Sequence, residues 1–165
     1  MSAPHETFAQ STLGAGGLLI VDGYVLLVQL NYGRFKGHWI LPGGMVNQGE
    51  FLHQACQREF QEETGMDVRV GAMLSARHRV QDNPHCNLYV VFLVESELDQ
   101  PLNAKLVWPS SELMQAKFWP VEQAVKDPMV RPATQEYIAA GQGAVSGLQA
   151  NKNLTNQTDF AWVLS

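Results

Sequence analysis

Cysteine and basic side chains are both scarce in this chain of 165 residues. Cys56 and Cys86 are its only cysteines and lack the close spacing of a metal-binding pair, so we expect two reduced thiols. The 11 Lys and Arg residues are outnumbered by 16 Asp and Glu residues, which gives a formal net charge of −5. Because long RNA or DNA is held mainly by Lys and Arg facing its phosphates, this composition argues against long nucleic acid as a partner.

Long apolar runs are also absent. The longest, from Leu18 to Val28, is interrupted by Asp22 and Gly23. A membrane-spanning helix needs about 20 consecutive apolar residues. The first ten residues contain no basic segment followed by an apolar one, which a secretory signal would require. We therefore expect a cytoplasmic protein that does not contact a membrane.

The sequence contains enough apolar material for one core, since 45% of its residues are hydrophobic. We expect a single domain over residues 1–140, followed by a loose tail over residues 141–165 that is rich in Gly, Gln, Asn and Ser. The last apolar stretch of the tail, residues 159–164, could pack against the domain or against a partner subunit.

Strands and helices are mixed along the chain without regular alternation, which favours an α/β fold with a mixed sheet packed between helices. Turn residues and apolar periodicity predict strands at 13–21, 24–30, 39–42, 66–80, 87–95 and 117–119. The same signals predict a glycine-rich loop at 43–50, a turn at 82–84, and helices at 50–64, 121–126 and 134–140.

Three glutamates share one turn of the first predicted helix. At about 100° per residue, Glu59, Glu62 and Glu63 fall within an arc of roughly 100°. Like charges at this spacing repel by roughly 0.2–0.5 kcal/mol per pair, so helix stability does not explain them. Apart from His53, Arg58 is the only basic residue between Glu50 and Met66. Carboxylates gathered in this way indicate bound cations, and all-oxygen ligands suit Mg²⁺ or Mn²⁺.

A glycine pair precedes this helix and completes a longer pattern. Gly43 and Gly44 allow close approach of the backbone to a ligand and leave carbonyl oxygens available to a hard cation. From Gly44 the chain reads Gly, five residues, Glu50, seven residues, then REFQEETGM over residues 58–66. At every fixed position this resembles the signature of the Nudix hydrolases, Gly-x5-Glu-x7-Arg-Glu-U-x-Glu-Glu-x-Gly-U, where U is a bulky apolar residue. Phe60 is larger than the family's usual aliphatic residue at its position.

The resemblance is strict over residues 39–66 and looser over 13–140. It implies a Nudix-type α/β/α sandwich with a mixed sheet, and Mg²⁺- or Mn²⁺-dependent hydrolysis of a nucleoside diphosphate linked to another group. It identifies Glu59, Glu62 and Glu63 with the metal ligands, and one of them could be the base that deprotonates water. Gly44, or its neighbour Gly43, corresponds to a carbonyl ligand. Homodimers are common in the family, so a homodimer is an open expectation.

Arg58 and Glu112 complete the candidate catalytic set, and Glu50 accompanies Arg58 as a supporting residue. Arg58 and Glu50 resemble supporting residues, since an arginine can hold carboxylates with two hydrogen bonds, although an ordinary ion pair would fit the sequence as well. Glu112 lies six residues before Phe118 and is the candidate for the further acid that the family often draws from a loop. A solvated surface glutamate is the alternative.

The substrate-binding candidates are cations and aromatic residues on both sides of the signature. Arg77 and Arg79 belong to an unusually basic stretch, and Arg34 and Phe35 belong to a polar, glycine-containing loop over residues 31–38. Guanidinium groups can bind phosphate, and an exposed ring can stack on a base. Further residues with the same chemistry are Tyr32, Lys36, Trp39 and His78.

The sequence therefore predicts an enzyme, a metal-dependent pyrophosphohydrolase of a small nucleotide such as ADP-ribose or a nucleotide sugar. A nucleoside triphosphate pyrophosphohydrolase is the first alternative. A nucleotide-sensing module without turnover is the second, although such a module would tolerate loss of the acids, all of which are present.

Overall fold

A computed structural model describes residues 8–80, 85–143, 148–151 and 159–164 of the chain. The predicted turn at residues 82–84 lies outside them. The strands are β1 (Gln10–Leu18), β2 (Ile20–Val21), β3 (Tyr24–Leu30), β4 (Trp39–Ile40), β5 (Gly43–Met45), β6 (Val68–Val80), β7 (His85–Ser96), β8 (Leu113–Pro120), β9 (Leu148–Asn151) and β10 (Asp159–Leu164). The α-helices are α1 (Leu52–Thr64), α2 (Val121–Ala124) and α3 (Pro132–Gln142), with 3₁₀ turns at Gly33–Phe35 and Pro101–Asn103.

Two sheets form the centre of the fold. The larger one has the order β5-β1-β7-β6-β10-β9, and its β1 and β7 run parallel while its other pairs are antiparallel. In the smaller sheet β3 pairs with β2, β4 and β8. The predicted mixed sheet is confirmed.

The helices cover the two faces of the large sheet with separate cores. On one face α1 buries Cys56 and Phe60 against Ala15 and Val90. On the other, Ile138 of α3 packs in a core with residues of β1, β6 and β7, namely Leu18, Leu74 and Val91. Alternate residues of each strand point to opposite faces, so the same strands serve both cores.

The predicted hairpin turn at Asp22 and Gly23 is present, with φ of 48° and 80° at the two residues. Such positive φ values match the right-handed twist of the flanking strands. The first predicted strand, however, is divided between the sheets. Residues 10–18 pair with β5 and β7, and only Ile20–Val21 pair with β3. Pairing with a distant strand, which local sequence does not encode, causes this division.

The loop predicted from residue 43 is wrong at its start, because Gly43–Met45 form β5 and pair with residues 14–16 of β1. Sequence reasoning missed this strand because glycine has low strand propensity and the partner is remote. Helix α1 begins at Leu52 rather than near Glu50. The Glu50 amide donates to the Asn47 carbonyl at 3.1 Å, in a turn before the helix. The strand predicted at 117–119 is longer and covers Leu113–Pro120.

The chain beyond α3 contributes strands to the edge of the large sheet. β10 pairs antiparallel with β6, matching Ala161 with Arg77, and β9 pairs with β10. Residues 159–164, expected to pack against the domain or a partner subunit, thus lie beside β6. The division into a domain over 1–140 and a tail over 141–165 stays a prediction. Within the described residues, no helix is long and apolar enough to cross a membrane.

Helix α1 ends at Gly65, which adopts the left-handed conformation with φ 73° and donates its amide to the Gln61 carbonyl at 2.8 Å. We expect Gly65→Ala to lower the free energy of unfolding by about 1–2 kcal/mol, because an L side chain is strained there. Its Cβ would also lie 3.3 Å from Val107. Urea denaturation measures the loss. Gly49→Ala is the control, since its φ is 81° but no atom lies within 4 Å of the added carbon. Equal losses of unfolding free energy in Gly65→Ala and Gly49→Ala would show that the contact with Val107 does not contribute to the destabilisation.

Candidate active site

The acidic trio lies where α1 faces β5. Glu63 is buried, with 7% of its surface exposed, and its Oε2 accepts a hydrogen bond of 2.8 Å from the Gly43 amide. Burial raises the pKa of the Glu63 carboxyl to about 8; the Gly43 amide lowers it, whereas the charges of Glu59, Glu112 and Glu62 raise it further. A buried carboxylate among like charges is costly unless a cation compensates it.

Arg58 links the other acids through a single guanidinium group. Its Nε and one terminal nitrogen donate to the two oxygens of Glu50 at 2.8 and 2.9 Å. The other terminal nitrogen donates to Glu59 at 2.7 Å and to Glu62 at 3.2 Å. A further bond of 2.9 Å reaches the Met45 carbonyl. The hydrogen bonds from Arg58 and from the Asn47 amide lower the pKa of Glu50 to about 2, and Glu50 raises the pKa of Arg58 above its usual range.

The carboxylate of Glu59 lies directly against Gly44. A Cβ on Gly44 would sit 2.5 Å from that carboxylate, so this close approach requires glycine. Glu62 is more open, with 53% of its side chain exposed. Among the residues that the structure describes, no three His, Cys, Asp or Glu side chains surround one point as a formed cation site.

Glu112, the acid predicted from outside the signature, lies near this cluster. Its carbonyl accepts a hydrogen bond of 2.9 Å from the Asn31 amide, which brings the loop before β8 to the end of β3. Its charge contributes to the raised pKa of Glu63 and to that of Tyr32, whose pKa is raised mainly by burial. The fold thus brings a fifth carboxylate toward Glu50, Glu59, Glu62 and Glu63.

A pocket of about 280 Å³ opens beside Gly43 and Gly44. Its walls combine apolar side chains with aromatic hydroxyls and guanidinium groups. The lining residues are Tyr32, Ile40, Leu41, Gly43, Gly44, Met45, Arg77, Tyr89, Arg131, Ala133, Thr134 and Tyr137. This arrangement can hold a flat or sugar-like group next to the acidic cluster.

Tyr89 forms the floor of the pocket, and sequence reasoning missed it. Its ring lies over Gly14 and Gly16 of β1, and its hydroxyl reaches Gly43, since a Cβ at any of these glycines would collide with the tyrosine. Burial raises the pKa of the Tyr89 phenol well above its ordinary value, and the charge of Glu63 raises it further. Glycines at alternate positions of one strand were the available signal, because they leave one sheet face bare.

The predicted substrate-binding residues occupy different places. Arg77 lines the pocket, whereas Arg79 lies two residues further along β6, opposite Asn87, and is not among the lining residues. Phe35 is not among the lining residues, and the guanidinium carbon of Arg131 lies 3.4 Å from its ring centroid. Arg34 lies 4.5 Å from the same centroid. Arg131, which the sequence did not single out, lines the pocket together with Arg77.

The chain is similar to known Nudix proteins. The family model described as NUDIX domain matches residues 11–140. Nudix hydrolase 2 of Arabidopsis thaliana is 32% identical over 128 residues, which are 74% of this chain and 44% of that protein. The ADP-ribose pyrophosphatase of Methanocaldococcus jannaschii is 28% identical over 92 residues, 55% of this chain and 54% of that protein. The chain therefore spans about half the length of these curated relatives, or less.

A solved structure gives the same fold. The MutT protein of Methanosarcina mazei Go1 superimposes with a TM-score of 0.65, over 81% of this chain and 94% of that chain, at 20% identity. At that identity the similarity concerns the architecture alone. It confirms the sandwich and mixed sheet expected from the sequence.

Proposed function

Because the chain belongs to the Nudix hydrolase family, we propose that it hydrolyses the pyrophosphate bond of a small nucleoside diphosphate derivative and releases a nucleoside monophosphate. ADP-ribose or a nucleotide sugar is the preferred substrate type. The observation that carries the proposal is the excess of carboxylates beside the pocket. Arg58 bonds to Glu50, Glu59 and Glu62, and Glu63 remains buried among like charges.

The donor set fits a hard divalent cation. Glu59, Glu62 and Glu63 supply carboxylate oxygens on one side, and β5 brings the backbone of Gly43 and Gly44 to the other. Such oxygens suit Mg²⁺ or Mn²⁺. The pKa of Glu63 is raised mainly by burial and further by the neighbouring acids, and a bound cation would favour the charged carboxylate. When bound, these cations would neutralise the pyrophosphate and lower the pKa of the attacking water.

The side chains around the site have separate roles in the proposed reaction. Arg58 fixes the carboxylates of Glu50 and Glu59, and thereby their orientation toward β5. Glu63 accepts the Gly43 amide hydrogen and so ties α1 to the strand that borders the pocket. The proton of the attacking water passes to one of the acids, with Glu112 and the trio as candidates. The pocket holds the group linked to the pyrophosphate, and Arg77 donates to it.

ADP-ribose-type substrates are preferred over triphosphates because the pocket beside Gly43 and Gly44 is lined by none of the acids and has room for a further group. A triphosphate would place only phosphates and solvent beyond the bond that breaks, whereas a linked sugar or nucleotide fills this space. The nucleotide-sensing alternative predicts binding without turnover. A cytoplasmic location and a homodimer belong to the same proposal, and size-exclusion chromatography with light scattering tests the dimer.

The test is incubation of the protein with ADP-ribose, a nucleotide sugar, a dinucleoside polyphosphate and a nucleoside triphosphate. Each reaction is run with Mg²⁺, with Mn²⁺ and with EDTA, and products are resolved by ion-exchange chromatography. We expect a nucleoside monophosphate from one of the first two substrates, and no product in EDTA. Binding of a substrate without turnover in either metal would favour the sensing module. Turnover of the triphosphate alone would favour the other alternative.

A further inference from the structure

The hydroxyl of Tyr89 is the part of this side chain that a packing role does not explain. Tyr89 pairs directly with Gly14, and an aromatic ring over a glycine fills the space that the missing side chain leaves. A phenylalanine would fill it equally well. The hydroxyl lies further along, where a Cβ on Gly16 or on Gly43 would collide with it, so it fits because both residues are glycines. It therefore reaches β5, the strand that borders the acidic cluster.

Strand β5 also contacts two of the acids. The Gly43 amide donates to Oε2 of Glu63 at 2.8 Å, and the carboxylate of Glu59 lies directly against Gly44. The charge of Glu63 acts on the phenol as well, because it contributes to the raised pKa of Tyr89. The Tyr89 hydroxyl and two of the proposed metal ligands thus meet at neighbouring residues of one short strand.

The Tyr89 hydroxyl is a hydrogen-bond donor at neutral pH, because burial and the charge of Glu63 raise the pKa of the phenol well above its ordinary value. Arg77 lines the same pocket, and its guanidinium carbon is 5.7 Å from the Tyr89 ring centroid. The Nε of Arg77 is buried and has no hydrogen-bond partner among the parts of the chain that the structure describes. Two neighbouring donors in one pocket call for acceptor oxygens on the ligand.

In a compound that carries a pyrophosphate, the phosphoryl oxygens suit this position. The proposed function places the pyrophosphate where α1 faces β5. Because Gly43 and Gly44 have no side chains, a phosphate can approach the backbone there and come within reach of the hydroxyl. A charged phosphoryl oxygen also accepts a stronger hydrogen bond than the neutral hydroxyl of a sugar.

We propose that Tyr89 is a substrate-binding residue whose hydroxyl donates a hydrogen bond to a non-bridging oxygen of the pyrophosphate beside Gly43. The inference rests on the proposed hydrolase function and adds a residue from β7, outside the acidic helix, to the groups that hold the reacting part of the substrate. Since the pyrophosphate is common to the candidate substrates, the bond contributes to each of them, whatever group is linked.

Tyr89→Phe tests the inference, because it removes the hydroxyl and keeps the ring over Gly14. We expect kcat/KM to fall about 10- to 100-fold, the range of a hydrogen bond to a charged group. The factor should be the same for every pyrophosphate compound that the protein hydrolyses. The midpoint of urea denaturation should stay unchanged or rise, because the variant packs the same ring without a buried hydroxyl. Packing alone would not give a loss of activity at undiminished stability.

Tyr24→Phe is the matched control. Tyr24 lies on β3, is exposed and is not among the residues that line the pocket, so its variant should keep the original kcat/KM. An unchanged kcat/KM in Tyr89→Phe on every substrate would overturn the inference. A loss confined to substrates with one particular linked group would overturn it too, because the hydroxyl would then contact that group and not the phosphate.

Calorimetry with methylenediphosphonate in Mg²⁺ separates this inference from the proposed function. The compound has two phosphonate groups, resists hydrolysis and carries no linked group. Affinity that falls about 10-fold in Tyr89→Phe but not in Tyr24→Phe supports the hydroxyl contact even if no substrate is hydrolysed. Hydrolysis of a substrate, with equal affinity and equal kcat/KM in Tyr89→Phe and the unsubstituted protein, would leave the hydrolase standing and remove the contact. If the protein neither binds this compound nor hydrolyses any substrate, both proposals fail.

Discussion

Glu63→Gln is expected to lower kcat on the order of 10³-fold, because it removes a charge that stabilises the transition state through bound cations. The amide oxygen of the introduced glutamine can still accept the Gly43 amide hydrogen, which Oε2 of Glu63 accepts at 2.8 Å. The loss should therefore come from charge and not from a displaced helix. Steady-state kinetics in Mg²⁺ measures it, with Glu97→Gln as an exposed control. Retention of more than about a tenth of kcat would exclude Glu63 from the metal site.

The same substitution should change the pH dependence of stability in metal-free buffer. Since the pKa of Glu63 rises from 4.5 to about 8 on folding, the folded chain binds a proton that the unfolded chain releases between these values. Stability from this group is complete below the unfolded pKa and is lost as pH rises through the folded pKa. Urea denaturation in EDTA should show a decline from about pH 5 to about pH 9 that Glu63→Gln lessens. If stability declines equally with pH in the unsubstituted protein and in Glu63→Gln, the Glu63 carboxyl is not the cause of the decline.

Arg58→Ala is expected to weaken both metal binding and the fold. The change leaves Glu50, Glu59 and Glu62 without the guanidinium group that bonds to all three. Loss of a group that orients metal ligands typically costs about 10- to 100-fold in affinity or activity, and we expect that reduction in Mn²⁺ affinity. Because the Arg58 side chain is 26% exposed, the expected loss of unfolding free energy is limited to about 1–3 kcal/mol.

Arg58→Lys separates the charge from the shape of the guanidinium group. A lysine keeps the positive charge but cannot donate in parallel to both oxygens of Glu50, so about tenfold of the affinity should be lost. Electron paramagnetic resonance of Mn²⁺ measures the affinity, and Arg69→Ala is the surface control. Unchanged Mn²⁺ affinity in Arg58→Ala would show that the arginine only balances charge.

Local signals predicted the acidic helix well. The periodicity of α1, the glycine at its end and the spacing from Gly44 to Met66 all involve residues close in sequence. The pocket could not be predicted in the same way, because Tyr89, Arg77 and Arg131 come from separate segments that long-range pairing brings together. The sequence predicted Arg77 and Arg79 equally as substrate-binding residues, and only strand register and the surrounding side chains distinguish them.

Strand β5 illustrates the same limit. Gly43–Met45 read as a loop because glycine has no local preference for a strand, yet antiparallel pairing with β1 orders them. That pairing fixes the Gly43 amide toward Glu63. The site geometry thus depends on a contact that sequence patterns do not encode.

Gly14 and Gly16 lie directly against Tyr89, so substitutions at these three positions depend on one another during evolution. A Cβ at Gly16 would meet the Tyr89 hydroxyl first, whereas one at Gly14 would meet the ring itself. Alanine at position 16 therefore loses its nearest obstruction once position 89 is phenylalanine, but alanine at position 14 requires a smaller residue there. A larger residue at position 16 or 14 therefore depends on prior loss of the hydroxyl or of the ring, respectively, at position 89.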